Sequence, residues 1–144
     1  MVPFLINDVS IACINQAAIA YHVSASMIIS ILKIEGGRNG VKSRNKDGSY
    51  DYGPMQINSR WLSVVVPYGY TEHDLQYNPC INVAVGTWIL ANNMAKGKTV
   101  WSGVGDYHSH NPVLNQNYRQ KVRYFHSWLV KTIHSHERKT ITTS

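Results

Sequence analysis

The chain has 144 residues and a formal net charge of +6, from 14 basic and 8 acidic side chains. Charged residues make up 15% of it, against ~25% in an average soluble protein, and nine tyrosines and four tryptophans give it an aromatic content foreign to disordered chains. This excludes an unfolded polyelectrolyte and predicts one folded domain, able to bury roughly 70% of its unfolded surface without a cofactor.

The sequence "MVPFLINDVS" lacks a basic n-region and an apolar stretch long enough for a signal peptide. A protein made without one and a protein from which one has been removed both fit. Residues 8–21 follow with a helical stripe of Val9, Ala12, Cys13, Ala17 and Ala20, and Asn7 or Asp8 as the expected N-cap. Residues 24–35 read as a second helix, capped by Ser24 and stopped by Gly36-Gly37. Ile28, Ile31, Leu32 and Glu35 share its inward face.

Asp47-Gly48 between short polar flanks predicts a hairpin turn, because glycine tolerates the positive φ that the turn needs. Pro54 to Trp61 reads as a short helix with its proline early. In "YGYTEHDL" a helical turn capped by Thr71 interrupts a loop. Asn78-Pro79 opens a long helix with apolar positions Ile81, Val85, Trp88, Ile89 and Met94, ending near Gly97. "VWSGVGDYHSHNP" predicts a shorter helix broken before Pro112. Residues 113–130 form a last amphipathic helix, with Leu114, Tyr118, Val122, Phe125 and Leu129 on one face. Trp88, Phe125 and Trp128 read as core. The final stretch "KTIHSHERKTITTS" has no apolar period and predicts a flexible tail over 132–144.

No apolar run approaches the ~18 residues of a membrane span. Cys13 and Cys80 have no C-x-x-C or C-x-x-H spacing. A buried free pair and a single disulfide in an oxidising compartment both stay open, and the helical setting of both residues tilts toward the second. The charge fits nucleic acid, an acidic membrane face or an anionic cell-wall polymer equally well.

Two acids stand in contrasting surroundings. Glu35 ends an apolar helix face, where desolvation raises a carboxyl pKa. Asp51 lies among Asn, Ser, Gly and Tyr and is expected to stay ionised. Glycoside cleavage asks for such a pair: a protonated acid for the leaving oxygen and an ionised partner for the developing cation. Taken alone, Glu35 could equally pair with Arg38 or Lys33, and Asp51 could be an ordinary turn residue.

The stretch "NKDGSYDYGPMQINSRWL", 45–62, resembles the hairpin of animal-type lysozymes, where N-x-D-G-S-x-D-Y-G-x-x-Q-I-N-S-R-W recurs. The wider frame resembles the bacterial lysozyme-like lytic transglycosylases, above all the small ones serving secretion, conjugation and pilus systems. The matching features are a Cys near the first helix, the helix ending in Glu, G-x-M-Q-I-N, a Tyr-Asn-Pro-Cys helix start and "VGDY" before a Tyr-bearing last helix. The resemblance spans residues 8 to 130. It implies a mostly helical α+β fold of the lysozyme type, with one small β-hairpin beside the active-site cleft and a catalytic domain over 1–131.

By the same resemblance Glu35 is the catalytic acid and Asp51 the lysozyme-type second carboxylate, one residue nearer the glutamate than in the animal enzymes. Gly53, Met55 and Gln56, with Asn58 and Trp61 beyond them, fall on substrate-binding positions. Tyr107, His108 and Tyr118 fall on the aromatic motif and last helix, and Cys13 and Cys80 on a disulfide pair. Gly36 departs from the family's Ser after the acid, and His108 from its Asn. The implied substrate is the peptidoglycan glycan strand, cleaved with 1,6-anhydroMurNAc formation. The implied setting is the periplasm or another exported location, beside a secretion, conjugation or pilus machine. No cofactor, metal or nucleic acid is called for, and a monomer is expected. A hydrolytic muramidase using Glu35 and Asp51, and a non-catalytic peptidoglycan-binding assembly module, are the alternatives. Basic "RQKVRYFHSW" suits nucleic acid no better than it suits the solvated side of a helix, and His108-Ser109-His110 does not set two rings on one helix face for zinc.

Overall fold

The computed structural model describes residues 4–143, with side chains through Lys139. It is mostly helical with small antiparallel sheets, the α+β class expected of a lysozyme-like fold. The chain divides into two compact units, Met1–Asn92 and Asn93–Ser144.

The first unit opens on a hairpin of β1 (Leu5–Ile6) and β2 (Val9–Ser10), turned by Asn7 at φ 50° and Asp8 at φ 68°. Two successive left-handed residues match the twist of short antiparallel strands, and Asn and Asp are the non-glycine residues that tolerate it. The expected N-cap therefore moves. Ser10, not Asn7 or Asp8, accepts the Cys13 N–H at 3.2 Å and starts α1 (Ile11–Tyr21). Strands of two residues are too short to show alternation in a sequence. Helix α2 (Ala25–Glu35) runs as expected, from a Ser24 cap on Met27 N to Gly36 at φ 66°. Met27, Ile28, Ile31 and Leu32 are buried.

Strands β3 (Lys42–Arg44), β4 (Tyr50–Tyr52) and β5 (Ile57–Asn58) form one antiparallel sheet in that order. Asp51 pairs with Ser43 on one side and Asn58 on the other. The Asp47-Gly48 turn is present, with Gly48 at φ 86°. Pro54 to Trp61 is not the short helix expected. Its residues make a turn, then β5, and only at Ser59–Trp61 one 3-10 turn. Gln56 at φ 52° breaks any helix there. After α3 (Leu62–Val65), the Thr71–Asp74 capping box starts α4 (Glu72–Tyr77), and α5 (Pro79–Lys96) follows Asn78. Cys13 and Cys80 form a disulfide with Cα atoms 5.4 Å apart, tying α1 to the first turn of α5. Closing a loop of 67 residues contributes about 4 kcal/mol by chain entropy alone.

In the second unit α6 (Val100–His108) starts at a Thr99–Ser102 capping box, and α7 (Pro112–Thr143) follows. Val104, Tyr118 and Val122 are buried. Two sequence readings change. Leu114 is 49% exposed while its neighbour Asn115 is buried, because the polar corner of α6 needs an amide there. Trp128, read as core, is 54% exposed. The helix also continues to Thr143, past the end of its apolar period. Among the described residues, no single helix is long and apolar enough to cross a membrane.

Candidate active site

Glu35 is the last residue of α2 and is half-buried. The N-terminal hairpin braces this helix end. Asn7 Nδ2 donates to Leu32 O at 2.6 Å, and the Asp8 carboxylate accepts from Arg38 Nε (3.0 Å), Arg38 Nη2 (2.8 Å) and Asn39 N (3.0 Å). Arg38 thus gives its fork to Asp8 and holds that carboxyl below the usual carboxylate range. Two residues after Glu35 the chain meets the sugar motif. Gly37 is buried so tightly that a Cβ there would collide with Gly53 O and lie 2.9 Å from Gln56 Nε2 and Pro54 O. Only glycine permits this approach. The end of α2 is seated on the Gly53–Gln56 turn.

That turn is held from beneath. Asn82 of α5 is fully buried; its Oδ1 accepts from Met55 N at 2.9 Å, and its Nδ2 donates to Tyr52 O (2.9 Å) and Leu75 O (2.8 Å). Gly53, at φ 65°, leaves no room for a side chain against Asn82. Met55 is fully buried, packed on Gly86, with Thr87 Oγ1 3.9 Å from its sulfur. Gly53 and Met55 therefore anchor the turn from within the core, whereas Gln56 is half-buried. The Gln56 side chain donates to Gly53 O at 3.0 Å.

Asp51 sits in the middle of β4, half-buried, with Oδ1 accepting from Asn58 Nδ2 at 3.0 Å. Asn58 Nδ2 also reaches Ser49 Oγ at 3.0 Å, which donates in turn to Asp47 Oδ1 at 2.6 Å. The acid on the hairpin stands in a polar, hydrogen-bonded network, as its neighbours in sequence suggest. Beside it, Lys42 Nζ lies 2.7 Å from Glu72 Oε1 and 4.4 Å from the Tyr50 ring centroid. The bond from Lys42 lowers the Glu72 pKa, and burial raises that of the Tyr52 phenol. Trp61 meets Trp88 edge-on, with ring centroids 6.1 Å apart, and the Arg60 guanidinium lies 5.7 Å from its ring. Trp88 in turn borders a cavity of about 390 Å³ walled also by Tyr21, Val64, Tyr68 and Tyr70.

Tyr107, His108 and Tyr118 belong to the second unit. His108 stacks on Tyr118, with centroids 4.8 Å apart and planes 10° apart; His108 is exposed and Tyr118 buried. Tyr107 is half-buried on α6. The corner is tied by Asn115 Nδ2, which donates to Asp106 Oδ1 (2.8 Å), Ser109 O (3.1 Å) and Ser102 O (3.3 Å). Among the described residues no three His, Cys, Asp or Glu side chains converge as a metal site would require.

The helix that ends in Glu35 is thus followed by Gly37 seated on a G-x-M-Q turn, with Asp51 on the hairpin strand that leads into that turn. The sequence matches the family described as "Transglycosylase SLT domain" over residues 12–124. The chain belongs to that family. It is similar to a "Peptidoglycan-binding-like protein" of Escherichia coli O157:H7, 32% identical over 119 residues, covering 76% of this chain and 71% of the relative. It is also similar to "Invasion protein IagB" of Salmonella typhimurium (33% over 105 residues; 72% and 66%) and "Protein IpgF" of Shigella flexneri (32% over 98 residues; 67% and 64%).

Two supports of the site escape a reading of the sequence for catalytic types. Asn82 carries one faint signal, an amide inside the apolar run "INVAVGTW" with Gly86 four residues on. The Asn7–Asp8 brace carries none beyond two turn-forming residues.

Proposed function

We propose that this chain is a peptidoglycan lytic transglycosylase, cleaving the MurNAc–GlcNAc β-1,4 bond with formation of a 1,6-anhydroMurNAc end. The observation that carries the reading is the close seat of Gly37 on the Gly53–Gln56 turn, which brings the chain just past the Glu35-bearing end of α2 onto the sugar motif. Glu35 donates its proton to the bridging oxygen as the C1–O bond breaks, and the MurNAc ring takes up oxocarbenium character. The Glu35 carboxylate then accepts the proton of the ring's own 6-hydroxyl, whose oxygen closes onto C1, and no water is consumed. Asp51, oriented by Asn58, stabilises the cation. Gln56, Asn58 and Trp61 hold the glycan, with Tyr107, His108 and Tyr118 assigned the same task by family resemblance. The catalytic domain is taken to run through residue 131. The disulfide and the wall substrate suit an exported protein, and the name of one relative, an invasion protein, suits one that opens the wall for an envelope-spanning machine.

The Asp51–Asn58 pair also favours a second reading, hydrolysis by a muramidase. Glu35→Gln is expected to abolish solubilisation of purified cell wall with the fold intact, and retained cleavage would refute the assignment. Asp51→Asn is expected to cost less. Mass spectrometry of the products separates the two chemistries, since a hydrolysed end is heavier than an anhydro end by one water, about 18 Da.

A further inference from the structure

The distal half of α7 carries none of the residues assigned to the site. The family match ends at residue 124, whereas the helix runs to Thr143. From Lys121 to Lys139 it carries five Lys or Arg against one acid, Glu137. Lys121, Arg123, Lys131 and Lys139 are all exposed, with Arg123 lying over the Trp101 ring at 5.3 Å.

At helical spacing, Tyr124, Trp128, Lys131, Ser135 and Lys139 share one side of α7, turned away from buried Val122. Tyr124 is 81% exposed and Trp128 54%. The Trp128 ring leans on Phe125, with centroids 5.5 Å apart and planes 47° apart. Trp128, Lys131, Thr132, Ser135, His136 and Lys139 wall a shallow groove of about 380 Å³.

We infer that this face is a second, non-catalytic binding surface for an anionic glycan: an amino-sugar polymer bearing carboxylates, as the wall strand of the proposed function does, on which reading the inference rests. Aromatic faces suit the C–H faces of pyranose rings, and the lysines suit the carboxylates of the stem peptides, or of lactyl groups that carry no peptide. Charge complementarity chooses the anionic partner. The composition of the face argues against a lipid surface. Its apolar members are two aromatics, set among Gln120, Thr132 and Ser135, without the continuous apolar stripe that interfacial helices insert.

The test uses the full chain as Glu35→Gln, so that insoluble sacculi are not digested while binding is measured by co-sedimentation. Adding Trp128→Ala, Lys131→Ala and Lys139→Ala is expected to weaken retention about tenfold, and raising salt to weaken the parent more than the variant. A single Lys131→Glu on this exposed face is expected to act in the same direction with circular dichroism unchanged. Unchanged retention in both variants overturns the inference. So does a parent that binds phosphatidylglycerol vesicles and loses only that binding in the variants, which would make the face a lipid contact. In the Glu35 background, the three α7 substitutions are expected to leave turnover of short soluble glycans unchanged. An active Glu35→Gln refutes the catalytic reading, and parent and variant are then compared for retention on ice, before the sacculi are digested.

Discussion

Each of the two units is stitched by one buried asparagine, and the two stitches differ. Asn82 is wholly buried and bonds only backbone: Met55 N, Tyr52 O and Leu75 O. Asn115 is 8% exposed, and one of its three acceptors is the half-buried side chain of Asp106. Each lies against a glycine, Gly53 and Gly105, whose Cβ would collide with the amide. Gly53 is needed for its φ of 65° as well as for space; Gly105, inside α6, is needed for space alone. A motif whose backbone must be placed is held by an amide that solvent cannot replace. A helix corner tolerates one that solvent partly can.

Substitution of the two asparagines puts numbers on that contrast. Asn82→Ala orphans one buried N–H and two buried carbonyls and is expected to cost about 3–5 kcal/mol in urea unfolding. Because it frees the turn on which α2 rests, cell-wall solubilisation is expected to fall with it. Asn115→Ala leaves its acceptors nearer to water and is expected to cost about 1–2 kcal/mol. Equal losses at the two positions would break the comparison.

The smallest effect belongs to the exposed brace at the end of α2. The folded Asp8 carboxyl is depressed, first by its bond from Arg38. Its contribution is therefore complete above the unfolded pKa, about 3.9, and is lost as pH falls below that value through the folded one. Wild type is expected to show faster amide exchange at Asn39 only on acidification below about pH 4. Asp8→Asn is expected to show fast exchange there already at neutral pH and no acid step.

How much of this was legible depended on whether the signal was local. Ser24 before an apolar run, Gly36 after it, Asp47-Gly48, the Thr71 cap and Asn78-Pro79 each act on their own turn of chain, and each stands where the spacing puts it. Pro54 to Trp61 misled because what decides its shape is not local. Proline followed by Met, Gln and Ile suits a helix, yet Asn82, 27 residues past Met55, draws the Met55 N–H into a turn. The same holds at the corner of α7. Leu114 fits the apolar period, but the acceptors of α6 select Asn115. Trp128, an aromatic at helical spacing, reads as core, yet it stands with exposed Tyr124 on the open side of α7. Glu35 and Asp51 drew notice by residue type. The seating of Gly37 on the turn could not be read at all, since nothing about a second glycine after a helix says what will touch it.

That seating divides the chain in a way that matters for its length variation. Residues 37 and 53 touch, so everything from Arg38 to Tyr52 is an excursion that leaves and returns to one point. Residues gained or lost at its tip, around Lys46 to Gly48, lengthen or shorten the excursion without moving Gly37 against Gln56. The spacing of the two acids in sequence can thus drift by a residue between kindred chains while their working parts stay in register.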